Sequence, residues 1–159
     1  MDGRETAEEV VSFHVDGRTY ALPLEQVVEV VRMVAVTPVP DAPPWLAGVV
    51  NLRGKLIPMI DLRPRFGAAP TEIDPGHVFL VAQVRGRTAG VMADLVEDVV
   101  KVDGTAAEHA HADSNLVGGL ARSTTGAVVI LDLERLLEGA ELGDQGKGDN
   151  GLAADSAPV

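Results

Sequence analysis

The most constraining feature of this 159-residue chain is an internal repeat with an offset of 69 residues, from residue 15 to residue 84. Residues 15–22, Val-Asp-Gly-Arg-Thr-Tyr-Ala-Leu, align with residues 84–91, Val-Arg-Gly-Arg-Thr-Ala-Gly-Val. The match continues through residues 25–31 and, after an insertion of two residues, ends with residues 60–62 against 131–133, Ile-Asp-Leu against Leu-Asp-Leu. Two halves that share one plan predict two copies of one substructure.

Each half reads as short strands joined by tight turns. An Asp-Gly or Arg-Gly pair, ending at Gly17 or Gly86, separates the first two apolar runs and suits a hairpin. The Val-rich runs that follow, at residues 27–31 and 96–102, are too brief for a stable helix and predict strands. A second hairpin closes each half: Val49–Leu52 with Leu56–Ile60, and Leu120–Arg122 with Ala127–Leu131.

A short helix is expected after each closing hairpin, because Asp61 and Asp132 can cap the first free amides. Four or five short strands per half favour a small barrel, since closure removes exposed sheet edges. The sequence therefore predicts an all-β body over residues 9–138, with subdomains at about 10–68 and 78–138. Whether strands are exchanged at the junction stays open. Residues 1–8 and the Gly- and Asp-rich residues 139–159 are predicted to be disordered.

Composition excludes several classes of function. A formal net charge of −11 with scattered Lys and Arg argues against nucleic acid and anionic membranes as partners. No signal-peptide core or membrane span is present, which predicts a cytoplasmic protein without membrane insertion. The absence of cysteine removes thiol catalysis, disulfides and thiolate metal sites.

The motifs that could carry catalysis are weak. Gly48–Lys55 lacks the spacing and the hydroxyl residue of a phosphate loop. The carboxylates of residues 94–98 have counterparts in residues 25–29, which favours a shared structural plan over acid–base chemistry. The Glu108–Asp113 segment reads as a solvated loop, and we predict no catalytic residue, cofactor or metal. A small metal-dependent hydrolase using His109, His111 and Asp113 remains the enzyme alternative.

Two features of the first half have no equivalent in the second. Pro38–Trp45 holds four prolines before the only tryptophan, and it is either a rigid linker that buries the indole or an interaction surface. Arg53 is expected at the exposed tip of the Asn51–Gly54 hairpin, where the second half has Thr124. It is either an ordinary turn residue or a planar anchor with many donors for a protein partner.

In this order and spacing, six segments resemble the CheW family: Val11–Gly17, Tyr20–Val30, Thr37–Pro44, Gly48–Gly54, Pro58–Arg63 and Ile130–Leu137. The resemblance implies two tandem five-stranded SH3-like barrels with short helices and a hydrophobic groove between them. It also implies an adaptor without enzymatic activity that binds the cytoplasmic tip of methyl-accepting chemoreceptors and the regulatory domain of a CheA-like histidine kinase. A similar adaptor for a kinase pathway outside chemotaxis is the alternative.

The resemblance also implies which residues bind partners. Arg53 and Gly48 match positions tied to receptor and array coupling, and Val27 and Glu29 match the neighbouring coupling segment. The remaining expected positions are three residues of the first-half hairpin and three second-half residues near the groove or its turns: Asn51, Leu52, Leu56, Leu80, Gly90 and Gly119.

Overall fold

The computed structural model describes residues 7–103, 117–123 and 126–138. These residues form strands and two four-residue helices in the following order: β1 (Ala7–Val15), β2 (Arg18–Pro23), β3 (Val27–Arg32), β4 (Leu46–Leu52), β5 (Lys55–Ile60), α1 (Leu62–Arg65), β6 (Val78–Val84), β7 (Arg87–Ala93), β8 (Leu95–Asp103), β9 (Val117–Ser123), β10 (Gly126–Leu131) and α2 (Leu133–Leu136). The predicted strands and helix starts are confirmed, and β1 begins two residues before the expected start of the body.

The strands form two five-stranded sheets that each combine both halves of the chain. Sheet A has the order β8-β1-β2-β10-β9, and sheet B has the order β3-β6-β7-β5-β4. Replacing each strand by its repeat counterpart converts one order into the other. The predicted all-β fold with two five-stranded units is confirmed, but neither half forms a sheet by itself. Each half lends its first hairpin to the other half's strands, so the exchange that the sequence left open takes place.

The length of the connectors explains this exchange. Only Leu24–Gln26 separate β2 from β3, and only Asp94 separates β7 from β8. If β8 took the place of β3 beside β6, the chain would have to cross β6 from the level of Val78, which pairs with Ala93, to the level of Ala82, which pairs with Val27, the repeat counterpart of Val96. That path measures ~16 Å by strand rise and spacing. The three residue steps from Ala93 to Val96 reach at most ~11 Å. β8 therefore joins the other sheet.

The hairpin turns and sheet edges follow the repeat as well. Asp16 and Gly17 have φ values of 55° and 79°, and Arg85 and Gly86 have 52° and 79°. Positive φ at both central residues is the requirement of a type I′ turn. Sheet A curls until Cα atoms of its edge strands β8 and β9 lie within 8 Å of each other. In sheet B, a bridge from Thr37 to Val49 covers the outer edge of β4.

Buried side chains form three clusters. The largest, which we call the shared core, lies between the sheets and includes Phe13 and Tyr20 of sheet A, Leu80 and Val91 of sheet B, and Leu136 of α2. Inner cluster A, on the other side of sheet A, consists of Val10, Ala21, Val102 and Val128. Inner cluster B consists of Met33, Val50, Ile57, Met59, Phe79, Val81 and Met92. Buried side chains of both sheets thus pack against each other between the sheets.

Asp61 and Asp132 cap their helices as predicted, but their surroundings differ. The Asp61 carboxylate accepts hydrogen bonds from the Arg63 amide, and from the amide (2.8 Å) and hydroxyl (2.9 Å) of Thr71. Asp61 is only 2% exposed. Asp132 accepts a bond from the Arg135 amide and stays partly exposed. Asp61 therefore fixes the start of the segment between the two halves, whereas Asp132 is mainly a cap.

We expect Asp61→Ala to lower the free energy of unfolding by about 2 kcal/mol, because it removes the cap and leaves the partly buried Thr71 donors without their acceptor. Asp132→Ala is the matched control and should cost about 1 kcal/mol, typical of a cap. Urea denaturation followed by circular dichroism measures both values. Equal losses in the two variants would contradict the structural role given to Thr71.

Candidate functional site

Arg53 lies at the tip of the β4–β5 hairpin, as the sequence predicted. Its φ of 54° and the 85° of Gly54 form a third turn with two positive values. The Asn51 side chain accepts a 2.9 Å hydrogen bond from the Gly54 amide and closes the turn. The Arg53 side chain is 64% exposed. The backbone of the turn is therefore held by its own residues and leaves the guanidinium free to contact other groups.

That guanidinium forms an ion pair with Glu29 of β3. The two strands that this pair connects, β3 and β4, are the opposite edges of sheet B. Sequence reasoning selected both residues but did not predict that they contact each other. Because the pair is exposed, it stabilises the fold only slightly and stays accessible to a partner.

Large apolar side chains are exposed on β3 and on the β4–β5 hairpin, which the ion pair joins. Val28 and Val30 of β3 are 57% and 45% exposed, and Leu56 of β5 is 60% exposed. Single exposed apolar residues are common, but three on a strand and a hairpin that one ion pair joins combine apolar area with a directional donor. We define the tip surface as the seven residues of β3 and the hairpin that share this end of sheet B: Val28, Glu29, Val30, Asn51, Leu52, Arg53 and Leu56.

The repeat supplies an internal comparison for the tip surface. Both edge strands carry a bulge at the same repeat position, Val28 in β3 and Glu97 in β8. In sheet A, the Glu97 carboxylate lies 3.1 Å from His14 Nε2 and 3.3 Å from Ser12 Oγ, so its contacts stay within the sheet. In sheet B, the bulged residue is an exposed valine. The two sheets therefore differ at the bulge itself, whereas two positions further on Val30 and Val99 are both 45% exposed.

Gly48, expected as a partner contact, is buried beneath the Pro-rich connector. Its φ is 149°, and a Cβ there would overlap the Thr37 carbonyl and lie 2.8 Å from the carbonyl carbon. Thr37 and Val49 exchange two 2.9 Å backbone hydrogen bonds beside this glycine. Gly48 therefore allows the connector to pack on β4, and any effect on partners would be indirect.

The other expected residues lie apart from the tip surface. Val27 begins β3 and packs partly against the shared core. Leu80 is fully buried in that core, and Gly90 and Gly119 are buried in β7 and β9. A Cβ on Gly90 would lie 3.0 Å from both Met59 Sδ and Phe79 Cδ2, which is tighter than ordinary packing. The structure therefore gives Leu80, Gly90 and Gly119 packing environments and does not bring them together with Arg53.

Trp45, at the end of the connector, is partly buried against the shared core, with the Arg65 guanidinium 4.1 Å above its ring. Arg65 also donates a 3.4 Å hydrogen bond to the Arg135 carbonyl of α2. Burial lowers the pKa of Arg65, and the nearby Glu138 carboxylate opposes this effect. The partly buried indole favours the rigid-linker interpretation of Pro38–Trp45. Sequence reasoning missed Arg65, because nothing in the repeat pointed to it.

The described residues contain no group of three or more His, Asp or Glu side chains arranged to hold a metal ion. The Glu108–Asp113 segment, with its two histidines, lies outside the described part of the chain. Within the described residues, no helix has the length and hydropathy needed to cross a membrane.

The fold and site define a small all-β protein of two interlocked sheets, one of which presents an apolar surface around an arginine. Residues 9–141 match the family model of the CheW-like domain, and the chain belongs to this family. It resembles the crystal structure of the scaffolding protein TtCheW from Thermoanaerobacter tengcongensis, with 30% identity, a TM-score of 0.73 and coverage of 82% of this chain and 92% of that one.

Named relatives include two chemotaxis proteins CheW. The protein of Rhizobium meliloti is 35% identical over 59% of this chain and 61% of its own length, so the match spans about three fifths of that relative. The protein of Helicobacter pylori is 29% identical over 87% of this chain and 86% of its own length. Protein FrzA of Myxococcus xanthus is 33% identical over 56% of each chain.

Replacing Gly48 with alanine should lower the free energy of unfolding by more than about 1 kcal/mol, because the backbone conformation favours glycine and the new Cβ would overlap Thr37. Gly76→Ala is the control, since Gly76 is exposed and a Cβ there would lie 3.4 Å from its nearest neighbour, Asp74 Oδ1. Thermal melting compares the variants. A Gly48→Ala melting temperature equal to that of Gly76→Ala would refute the close approach of the connector.

Proposed function

We propose that this chain is an adaptor without enzymatic activity that couples methyl-accepting chemoreceptors to a CheA-like histidine kinase. Its partners would be the cytoplasmic tip of the receptor and the regulatory domain of the kinase. It would act in the cytoplasm and be recruited to receptor arrays, without binding nucleic acid or inserting into the membrane. Membership of the CheW-like family and the similarity to a scaffolding protein support this class of function.

The observation that carries the proposal is the tip surface, where the Arg53–Glu29 ion pair joins a strand and a hairpin with exposed apolar side chains; in sheet A the position of Val28 is taken by Glu97, which bonds within the sheet. Arg53 offers a planar donor set, and Glu29, 34% exposed, holds it at the sheet edge. A partner carboxylate or carbonyl that approaches the tip could accept from the donors that Glu29 leaves free. Val28, Val30 and Leu56 would supply the apolar contact area.

The other expected residues would contribute indirectly. We propose that Asn51 and Leu52 shape the hairpin, and that Gly48 holds β4 against the connector. Leu80, Gly90 and Gly119 would act only through packing, because they are buried. The mechanism would be a transfer of conformational bias from receptor to kinase through separate contact faces.

The second candidate is an adaptor of the same type for a kinase pathway outside chemotaxis, since Protein FrzA is also a relative. Binding of the kinase domain without any affinity for a chemoreceptor tip would favour this alternative. Binding of neither partner would contradict both candidates.

The decisive variant is Arg53→Asn, because asparagine fits a type I′ turn at least as well as arginine and removes only the guanidinium. We expect the free energy of unfolding to stay within about 0.5 kcal/mol of the wild type, as for surface changes generally. Partner binding should weaken by 2 kcal/mol or more, roughly thirtyfold, as for a hot-spot arginine. Arg53→Lys should restore little, because lysine lacks the planar fork.

Arg85→Asn is the matched control, since Arg85 occupies the same kind of turn and pairs with Glu134 at 2.8 Å on another part of the surface. Calorimetric titration of each variant with a receptor-tip fragment and with the kinase regulatory domain measures the affinities, and thermal melting checks the fold. If Arg53→Asn binds both partners as tightly as Arg85→Asn does, the tip surface is not the docking site.

A further inference from the structure

The two sheets share one backbone plan but enclose inner clusters of different size. Inner cluster B contains a phenylalanine, an isoleucine and three of the chain's four methionines. Among the described side chains, inner cluster A contains three valines and an alanine. Both clusters are almost fully buried. The difference in volume must therefore be matched on both sides of each cluster, because protein interiors are closely packed.

One side of each cluster comes from the exchanged hairpin. The β6–β7 hairpin brings Phe79 and Met92 into inner cluster B, paired across its two strands. The same repeat positions in the β1–β2 hairpin are Val10 and Pro23, which are also paired. The hairpins are therefore alike in backbone register and differ in the volume that they insert.

The strands that receive the hairpins show the complementary difference. Met59 of β5 lies opposite Gly90 in the parallel pairing of β5 with β7, and Ile130 of β10 lies opposite Ala21 in the pairing of β10 with β2. Space beside Met59 is scarce, since a Cβ on Gly90 would approach both Met59 and Phe79 to 3.0 Å. The longer side chain thus faces glycine, and the shorter one faces alanine.

We propose that these inner side chains decide which hairpin each sheet accepts, so that the first half of the chain pairs with the second half and rejects the first half of a second copy. Because the hairpins are already exchanged between the two halves, two copies of the chain could instead exchange them between identical halves, an arrangement that we call like-with-like pairing. The largely exposed segment of residues 67–77 would then connect the two halves of each copy. With β1–β2 in sheet B, a cavity would replace Phe79 and Met92. With β6–β7 in sheet A, Phe79 would be forced into the space of Val10.

The test exchanges the two hairpin residues in the full chain, as Val10→Phe with Phe79→Val. Each hairpin then fits the strands of its own half, so like-with-like pairing between two copies becomes the better-packed arrangement. We expect the refolded double variant to have twice the wild-type mass by light scattering, whereas the wild type stays monomeric. A monomeric double variant with the wild-type melting temperature would overturn the proposal.

A disulfide reports the pairing directly, because the chain has no cysteine. Glu9 pairs with Lys101 in sheet A, and Arg32 occupies the repeat position of Lys101 in sheet B. Glu9 and Arg32 are both exposed and lie in different sheets, and only like-with-like pairing brings them opposite each other. With Glu9→Cys and Arg32→Cys added, the exchanged variant should give about tenfold more disulfide-linked dimer than the wild-type background, given the cost of a Phe-sized cavity.

The milder exchange Ala21→Gly with Gly90→Ala decides the matter if the first variant does not fold. Refolded at high protein concentration with the same cysteine pair, it should form at least about threefold more linked dimer than the wild-type background, because a misplaced methyl group costs on the order of 1 kcal/mol. Linked dimer at the wild-type level in this variant would show that the inner side chains do not control pairing.

Discussion

The structure depends on connectors that are short compared with the path back across a strand. Asp94 cannot carry the chain back across β6, and Leu24–Gln26 leave it almost no slack, so each hairpin joins the sheet of the other half. The shared core lies between two sheets of mixed origin, and the tip surface belongs to a sheet that includes β6 and β7 of the second half. Neither half forms a sheet by itself.

This constraint shapes how a contact at the tip surface could be felt elsewhere. Leu80 and Phe79, neighbours on β6, face the shared core and inner cluster B respectively. β6 also pairs with β3, which carries Glu29. A displacement of β3 would therefore act on a strand that is packed on both faces, and close packing transmits such displacements. Leu80 can matter to function from within the core without contacting a partner.

Much of the fold was predictable because repeat, turn and cap signals are local. Gly17, Gly86, Asp61 and Asp132 could each be assigned from a few neighbouring residues, and the structure agrees. Strand exchange was left open because it depends on whether a connector is long enough to cross a strand. That distance follows from the register in which the strands pair, which a single sequence does not show. The Arg53–Glu29 pair was missed for a similar reason, since curling of the sheet brings together two edges 24 residues apart in the chain.

An arginine in a tight turn is not by itself a sign of a binding site in this molecule. Asp16, Arg53 and Arg85 all have positive φ, which costs more for these residues than for glycine, and each side chain contacts an opposite charge on another element. All three ion pairs could simply hold a hairpin turn against a neighbouring element of the fold. What separates Arg53 is its surroundings, because its partner lies on an edge strand between two exposed valines, Val28 and Val30. Exposed apolar side chains beside Glu29 argue against a purely structural role for the Arg53–Glu29 pair, and they favour a binding surface that a partner covers.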